Sequence, residues 1–451
     1  MPVPPTLPTL APDTHATGHV PAGTQPPAGS RTGLPPGPST SAGPSRPAGG
    51  RLAGRLGAGA SFALAASMLT SFLASSVVPT PLYAVYQAHW GFSPITLTVV
   101  FGVYALAVLG SLLVAGGLSD HLGRRPVLLA ACAVQILALA VFVRADGVAA
   151  LVAARAGQGL ATGTAMGALG AALLDLHPTR GALFNAAGSF AGTALGATGS
   201  ALCVALLPAP TRLVYLLLLA VVAAQAAGVL VMTETSPRVP GALASLRPHL
   251  SLPAPVRRVL PAAGPCLVAT WALTGFSFSL GPALARRVAG AGEATSRHAI
   301  LLGGLAVLAL AGTAALTVVL ARTAPAATMM LTGLVGLIVG VALTLLAVAA
   351  GSTTALFTGT VLAGAGIGAG VQGSLRVVLP LAAPHERAGV LATVYVLCYL
   401  ALGVPAVAAG WRVTHVNLEQ TSREYGLAVI ALAALALTAL LRLHLRRPDP
   451  V

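Results

Sequence analysis

The sequence predicts an all-α membrane protein with twelve transmembrane helices in two six-helix bundles, preceded by a disordered N-terminal tail. Apolar residues make up 56% of the chain and charged residues 8%, with 52 glycines, which is the composition of a protein embedded in lipid. Twelve apolar stretches follow one another, each long enough to cross a bilayer as a helix. A polar segment after the sixth stretch separates the two halves.

Residues 1–55 are predicted to form a disordered cytoplasmic tail. They are rich in Pro, Gly, Ala, Ser and Thr, with almost no large apolar side chains that could build a core. They do not resemble a secretory signal, because the first long apolar run begins only near Ala58 and no charged region follows Met1.

Residues 56–232 form the predicted first bundle, and residues 261–445 the second. Residues 233–260, with four arginines and several prolines, form the predicted central cytoplasmic loop. The predicted spans are 58–82, 96–117, 126–143, 148–174, 182–206, 212–232, 261–282, 299–320, 327–349, 354–380, 388–410 and 426–443. Aromatic residues near the outer span ends are expected to form an interfacial belt, namely Tyr83, Tyr86, Trp90, Trp411 and Tyr425.

The distribution of arginine predicts the orientation of the chain. The net charge of +15 could suggest a nucleic-acid partner. However, arginines gather in alternate loops, and basic loops stay on the cytoplasmic side. We therefore expect no nucleic acid as a partner, a lipid bilayer around the spans and both termini in the cytoplasm. The absence of lysine beside abundant Gly, Ala and Arg indicates a G- and C-rich genome, hence a bacterial inner membrane.

The loop between the second and third spans, residues 116–129, packs four ionisable residues between two apolar runs. Its glycines permit a tight turn and close helix contact, and its arginines should lie at the cytoplasmic headgroups. This hinge motif resembles the loop 2–3 signature of the major facilitator superfamily, G-x-L-x-D-R-x-G-R-R, with His121 in place of one arginine. The candidate hinge residues are Gly116, Gly117, Asp120, Gly123, Arg124 and Arg125.

The resemblance implies a secondary transporter whose two halves rock about a central site. Asp175 ends the fourth span and is expected to pair with Arg124 or Arg125. In proteins similar to this one, such a carboxylate and the hinge residues clasp the two halves on the inside. A solvated acid at a helix end is the alternative.

Arg155 and Gln158 lie one turn apart in the fourth span, in a segment similar to the R-x-x-Q-G motif of the same superfamily. There the arginine is associated with coupling proton movement to transport. The alternative is an arginine that snorkels to the outer headgroups.

Other polar and aromatic residues in the spans are candidates for the substrate cavity. Arg376 is near the cytoplasmic end of its span, so snorkelling is an equal alternative. No acidic residue lies deep in a span, which favours anionic or neutral substrates over cations. The remaining cavity candidates are Tyr104, Gln135, Asn185, Gln225, Trp271, Gln372, Tyr395 and Tyr399.

The fifth span bears on the direction of transport. Exporters similar to this protein often carry G-x-x-x-G-P-x-x-G-G there. The chain keeps glycines at 188, 192 and 196 but has Thr193 at the proline position. The alternative explanation of this glycine spacing is that it only allows close packing of helices.

These features predict proton-coupled efflux of a small organic compound by alternating access, driven by the proton gradient, with protons as a second partner and no cofactor or metal. Proton-coupled uptake of a small neutral or anionic solute is the closest alternative. A polytopic membrane enzyme and a sensor that transports nothing are further alternatives, although no catalytic constellation is present. Substrate identity and oligomeric state stay open.

Overall fold

A computed structural model describes residues 56–291, 296–383 and 385–445. The predicted tail, residues 1–55, therefore lies wholly outside the described residues. Within them, twelve helices are long and apolar enough to cross a membrane, which confirms the predicted fold class.

The six spans of the first half are built from seven helices, because a break divides the first span. They are α1 (Ala58–Val77) with α2 (Pro79–Trp90), α3 (Pro94–Ala115), α5 (Arg124–Val143), α6 (Val148–Leu176), α7 (Pro178–Leu206) and α8 (Pro210–Val231). A short helix, α4 (Leu118–Leu122), lies in the hinge motif, and another, α9 (Ala242–Ser245), lies in the central loop.

The second half repeats the pattern of six spans. They are α10 (Ala254–Ser279), α12 (Arg297–Leu320), α13 (Ala326–Ala350), α14 (Thr353–Val378), α15 (Arg387–His415) and α16 (Leu418–Leu445), with the short helix α11 (Gly281–Val288) after α10. The seventh span thus begins at Ala254, so its first residues belong to the segment predicted as central loop.

Each half has its own apolar core. One cluster of buried side chains lies within the first half and includes Phe72, Leu128 and Leu169, and another lies within the second half and includes Leu267, Leu334 and Val394. Since one contiguous core marks one packed unit, the two clusters correspond to the two predicted six-helix bundles.

The halves meet mainly along two helix pairs, α3 with α15 and α7 with α12, and α2 adds a smaller contact with α12. We call the membrane face that holds the hinge motif the hinge end, and the opposite face the far end. A Cβ on Gly410 would overlap the side chain of Thr98, and one on Gly304 would overlap that of Ala201. Both contacts lie near the far end, so the missing side chains of these glycines let the halves approach closely there.

Two of the five expected belt residues are buried inside the protein instead. Tyr83 and Tyr86 are buried because α2 continues the first span to Trp90, well beyond its predicted end. The hydroxyl of Tyr86 lies 3.3 Å from that of Tyr215, and the hydroxyl of Tyr425 donates to the carbonyl of Ala272 at 2.7 Å. The belt prediction is therefore wrong for Tyr83 and Tyr86, whereas Tyr425 is half-buried and its place in the belt stays a prediction.

Candidate functional site

The hinge motif is held together by one buried cation. The guanidinium of Arg124 donates to Ser119 at 2.6 Å and also to Asp120, and its Nε lies 3.4 Å from a carboxylate oxygen of Asp175. The expected pair between Asp175 and a hinge arginine is thus present. The expectation that Arg124 lies among lipid headgroups is wrong, because the residue is only 7% exposed. Two carboxylates and a hydroxyl replace water around it, which offsets the cost of burial.

Arg125 and Glu234 connect the hinge motif to the end of the sixth span. Arg125 donates from its Nε to the carbonyl of Val229 at 3.1 Å and also to that of Leu230, which satisfies carbonyls at the end of α8. In return, the carboxylate of Glu234 accepts from the backbone N–H groups of Arg124 and Arg125, at 2.8 and 3.1 Å. A carboxylate at a helix N-terminus is favourable, so Glu234 caps α5.

The glycines of the hinge motif have different roles. Gly123 has a φ of +92°, and a Cβ there would lie 2.8 Å from Glu234, so the turn before α5 requires glycine. Gly116 has an ordinary helical φ and faces Gly167 of α6. A Cβ on Gly167 would lie 2.9 Å from the carbonyl oxygen of Gly116. Gly117 has neither constraint.

The contacts among Asp120, Arg124 and Asp175, which we call the hinge network, differ from the expected clasp between the halves. Within the described residues, the side-chain partners of Asp120, Arg124 and Asp175 all belong to the first half. The central loop does reach the second half, where the N–H of Ser251 donates to the carbonyl of Gly389 at 3.2 Å. In this conformation the hinge motif therefore fastens the first bundle to itself.

The break in the first span creates a polar site inside the membrane. Pro79 has no N–H, so the carbonyl of Ser75, four residues earlier, has no helical donor. Gln158 supplies one from its side-chain nitrogen at 2.9 Å, and Arg155 donates to the carbonyl of Ser76 at 2.6 Å. The side chain of Ser200 donates to the carbonyl of Val78 at 2.7 Å. Neighbouring helices thus satisfy the backbone groups at the break.

Arg155 is the centre of this site. The residue is 0% exposed, which contradicts the snorkelling alternative. Its Nη1 also donates to the side-chain oxygen of Gln158 at 2.7 Å, and the side chain of Gln135 joins by donating to the hydroxyl of Ser75 at 2.7 Å. We call Arg155, Gln158, Gln135, Ser75 and Ser76 the Arg155 network.

Aromatic rings connect the Arg155 network to the interface between the halves. The guanidinium carbon lies 4.8 Å from the ring centre of Tyr104 and 5.9 Å from that of Tyr83, which is the range of a cation–π contact. Tyr104 packs in one cluster with Tyr399 of α15, and the ring centres of Tyr399 and Trp271 are 5.1 Å apart. The network in the first half is therefore one ring away from the second half.

The other predicted cavity residues are not all brought together. Tyr395 lies beside Tyr399, with ring centres 6.4 Å apart. Asn185 donates to the carbonyl of Gly170 at 2.9 Å and so ties α7 to α6. Arg376 lies at the hinge end against the carbonyl of Ala324, at 3.4 Å, and Gln372 is half-buried one turn before it.

The sequence of the chain matches a known protein family over most of its length. A model of the Major Facilitator Superfamily matches residues 60–408. The chain belongs to the Major Facilitator Superfamily. No curated protein matches its sequence significantly.

Solved structures show the same fold as this member of the superfamily. The nucleoside transporter NupG is similar with a TM-score of 0.63 and 11% identity, over 84% of this chain and 99% of that one. A bacterial homologue of the human lysosomal transporter Spinster is similar in two states. The inward-facing, unoccupied state has a TM-score of 0.68 and 15% identity over 87% of this chain and 99% of that one. The inward-facing, occupied state has a TM-score of 0.66 and 15% identity over 86% of this chain and 98% of that one.

Several residues of the site in this superfamily member were missed from the sequence. Ser75 and Ser76 looked like ordinary polar residues of an apolar span, and Tyr83 looked like an interfacial residue. The signal that could have found the site is Pro79, since a proline inside a span leaves a carbonyl that another side chain must satisfy. Glu234 was missed because its partners lie over a hundred residues earlier.

Proposed function

We propose that this transporter exports a small organic compound across a bacterial inner membrane, coupled to protons and by alternating access. The observation that carries the proposal is the Arg155 network, a buried cation built on a broken helix one ring away from the interface of the two bundles. Broken helices at the interface of repeats are where secondary transporters bind substrates and coupling ions.

The proposed mechanism uses the two main helix pairs between the bundles as its moving parts. The halves would rock about the α3–α15 and α7–α12 pairs, whose glycines allow close contact near the far end. The hinge network would keep the first bundle rigid, and Arg155 would bias the protonation or ligand state of the cavity. In this proposal the hinge end faces the cytoplasm.

Export is proposed because the glycine ridge of α7 is retained and used. A Cβ on Gly192 would lie 2.6 Å from the carbonyl oxygen of Thr70, so α7 rests closely on α1. Uptake by symport is the second candidate, because Thr193 stands where similar exporters have proline and no carboxylate lies deep in a described span.

The test uses inside-out vesicles with an imposed proton gradient and a dye that reports internal pH. Antibiotics, organic acids and sugars are added one at a time. Export predicts that one class collapses the gradient in the wild type but not in Arg155→Ala vesicles, while the exposed-loop control Arg322→Ala behaves as wild type. Uptake in whole cells without any response in the vesicles would favour the symporter. A response that survives in Arg155→Ala vesicles would show that proton coupling does not require Arg155.

A further inference from the structure

Arg155 keeps one edge of its guanidinium without a partner. Its Nη1 is used by Ser76 and Gln158, but its Nε and Nη2 are buried and make no hydrogen bond. These two nitrogens form the edge that binds a carboxylate through two parallel hydrogen bonds. A buried donor without a partner is costly, and two on one charged group are unusual in a folded protein.

The distribution of charged residues indicates that the missing partner of Arg155 is negatively charged. In the described residues, the acidic side chains lie in loops or within about two turns of a span end, and the ion pairs of Asp120, Asp175, Glu419 and Glu424 are with other arginines. Arg155 therefore has no carboxylate partner. An isolated buried cation is unfavourable, so an anionic ligand on its free edge would be bound strongly.

The surroundings of that edge add further donors and aromatic surface. The hydroxyl of Tyr83 lies close to the guanidinium of Arg155 and that of Thr162 lies close to Tyr104, and the indole N–H of Trp271 at the interface is buried without a hydrogen bond. The rings of Tyr104, Tyr399 and Trp271 follow one another from Arg155 to the second half. Rings of this kind stack on a planar apolar ligand.

We infer that the site takes an aromatic organic anion. Its carboxylate or similar oxyanion lies on the Nε and Nη2 edge of Arg155, and its ring lies among Tyr104, Tyr399 and Trp271. The free edge is enclosed in this conformation, so the ligand reaches it when Tyr104 moves as the interface opens. The inference deepens the proposed function by naming the substrate class, but binding itself requires neither a gradient nor a direction of transport.

The test measures binding in detergent with Trp271 as the reporter. The chain has three tryptophans, so Trp90→Phe and Trp411→Phe leave Trp271 alone. Three quenchers share one ring and differ in charge: 4-nitrobenzoate, 4-nitrobenzamide and 4-nitrobenzylammonium. We expect the benzoate to bind about tenfold tighter than either of the others, which is what one charge-assisted pair provides.

Variants on that background assign the preference to Arg155. Arg155→Gln should bind the three quenchers about equally, and Arg155→Lys should keep part of the preference, because lysine retains charge without the two-pronged edge. Arg322→Gln removes an exposed arginine and should change nothing. Size-exclusion profiles check that each variant is folded.

Three outcomes would overturn the inference. They are equal affinity for the three quenchers in the parent, an anion preference that survives intact in Arg155→Gln, and no quenching by any of the three, in which case the free edge holds water only. Since no gradient is used, these outcomes are distinct from failure of proton-coupled export, which the vesicle assay measures separately.

Discussion

The Nη1 atom of Arg155 lies 2.6 Å from the carbonyl oxygen of Ser76, three residues before the proline that breaks the first span. This contact joins two features that are costly in a membrane, a buried cation and an irregular backbone. Each provides what the other lacks, because the break exposes carbonyl oxygens and the fourth span brings donors to them. The break and the arginine therefore depend on each other.

Replacing Pro79 by alanine should separate stability from transport. The new N–H can donate to the carbonyl of Ser75, which then no longer needs Gln158. We expect a higher unfolding temperature in detergent and a loss of most transport in the vesicle assay. Pro94→Ala is the control, since Pro94 begins α3, where no helical hydrogen bond is missing. Full transport in Pro79→Ala would show that the break is not needed.

Asp120 and Asp175 should act as one unit through Arg124. Their side chains are 61% and 36% exposed, so each single change to asparagine should cost only about 1 kcal/mol or less. The double variant leaves the buried guanidinium with Ser119 as its side-chain partner, so its loss should exceed the sum of the two by about 0.5–3 kcal/mol. Denaturant unfolding of all four proteins gives this coupling energy. Additive losses would contradict a shared partner.

Transport should be lost in Asp120→Asn while membrane insertion stays intact, since the hinge motif holds α3 and α5 to the end of α8. Asp146→Asn is the matched control, because Asp146 is an exposed acid in a loop at the far end. Vesicle transport and membrane yield are measured for both variants. A fully active Asp120→Asn protein would remove the hinge acid from the mechanism.

The fold could be predicted almost completely from the sequence, because span length and loop charge are local properties. The pairing of Asp175 with a hinge arginine also followed, since both lie at span ends on one face. The Arg155 site could be predicted only in part. Arg155 was identified by its motif, but Ser76, to which Arg155 donates, and Ser75, to which Gln158 donates, lie 79 and 83 residues before these donors. Both contacts are decided by how α6 packs against the break. Packing of this kind leaves no local pattern.

Gly123 and Gly117 of the hinge motif should differ sharply in their tolerance of alanine. Gly123→Ala would place a Cβ 2.8 Å from Glu234 in a left-handed conformation, so we expect a loss of about 1–3 kcal/mol. Gly117→Ala meets only Ser245, at 3.8 Å, with an ordinary φ, and should be nearly neutral. Thermal unfolding in detergent compares the two. Equal behaviour would mean that the Glu234 cap does not constrain the turn.

The fifth span offers a second matched pair, which tests whether its glycine ridge is structural. A Cβ on Gly196 would overlap the backbone of Ala74 in α1, whereas one on Gly199, a turn further along the same helix, would meet nothing within 4 Å. Alanine favours a helix over glycine by about 0.5–1 kcal/mol, so Gly199→Ala should be neutral or slightly stabilising. Gly196→Ala must also push α7 away from α1, and overpacking of this kind costs about 1–3 kcal/mol.

We therefore expect the unfolding temperature of Gly196→Ala to fall below that of the wild type and that of Gly199→Ala to match or exceed it. Because Ala74 lies one residue before the Ser75 carbonyl that Gln158 satisfies, the same displacement should also disturb the Arg155 network. Transport by Gly196→Ala should then fall more than its loss of stability explains. If its transport per folded protein equals that of Gly199→Ala, the ridge only packs the helices and carries no information on the direction of transport.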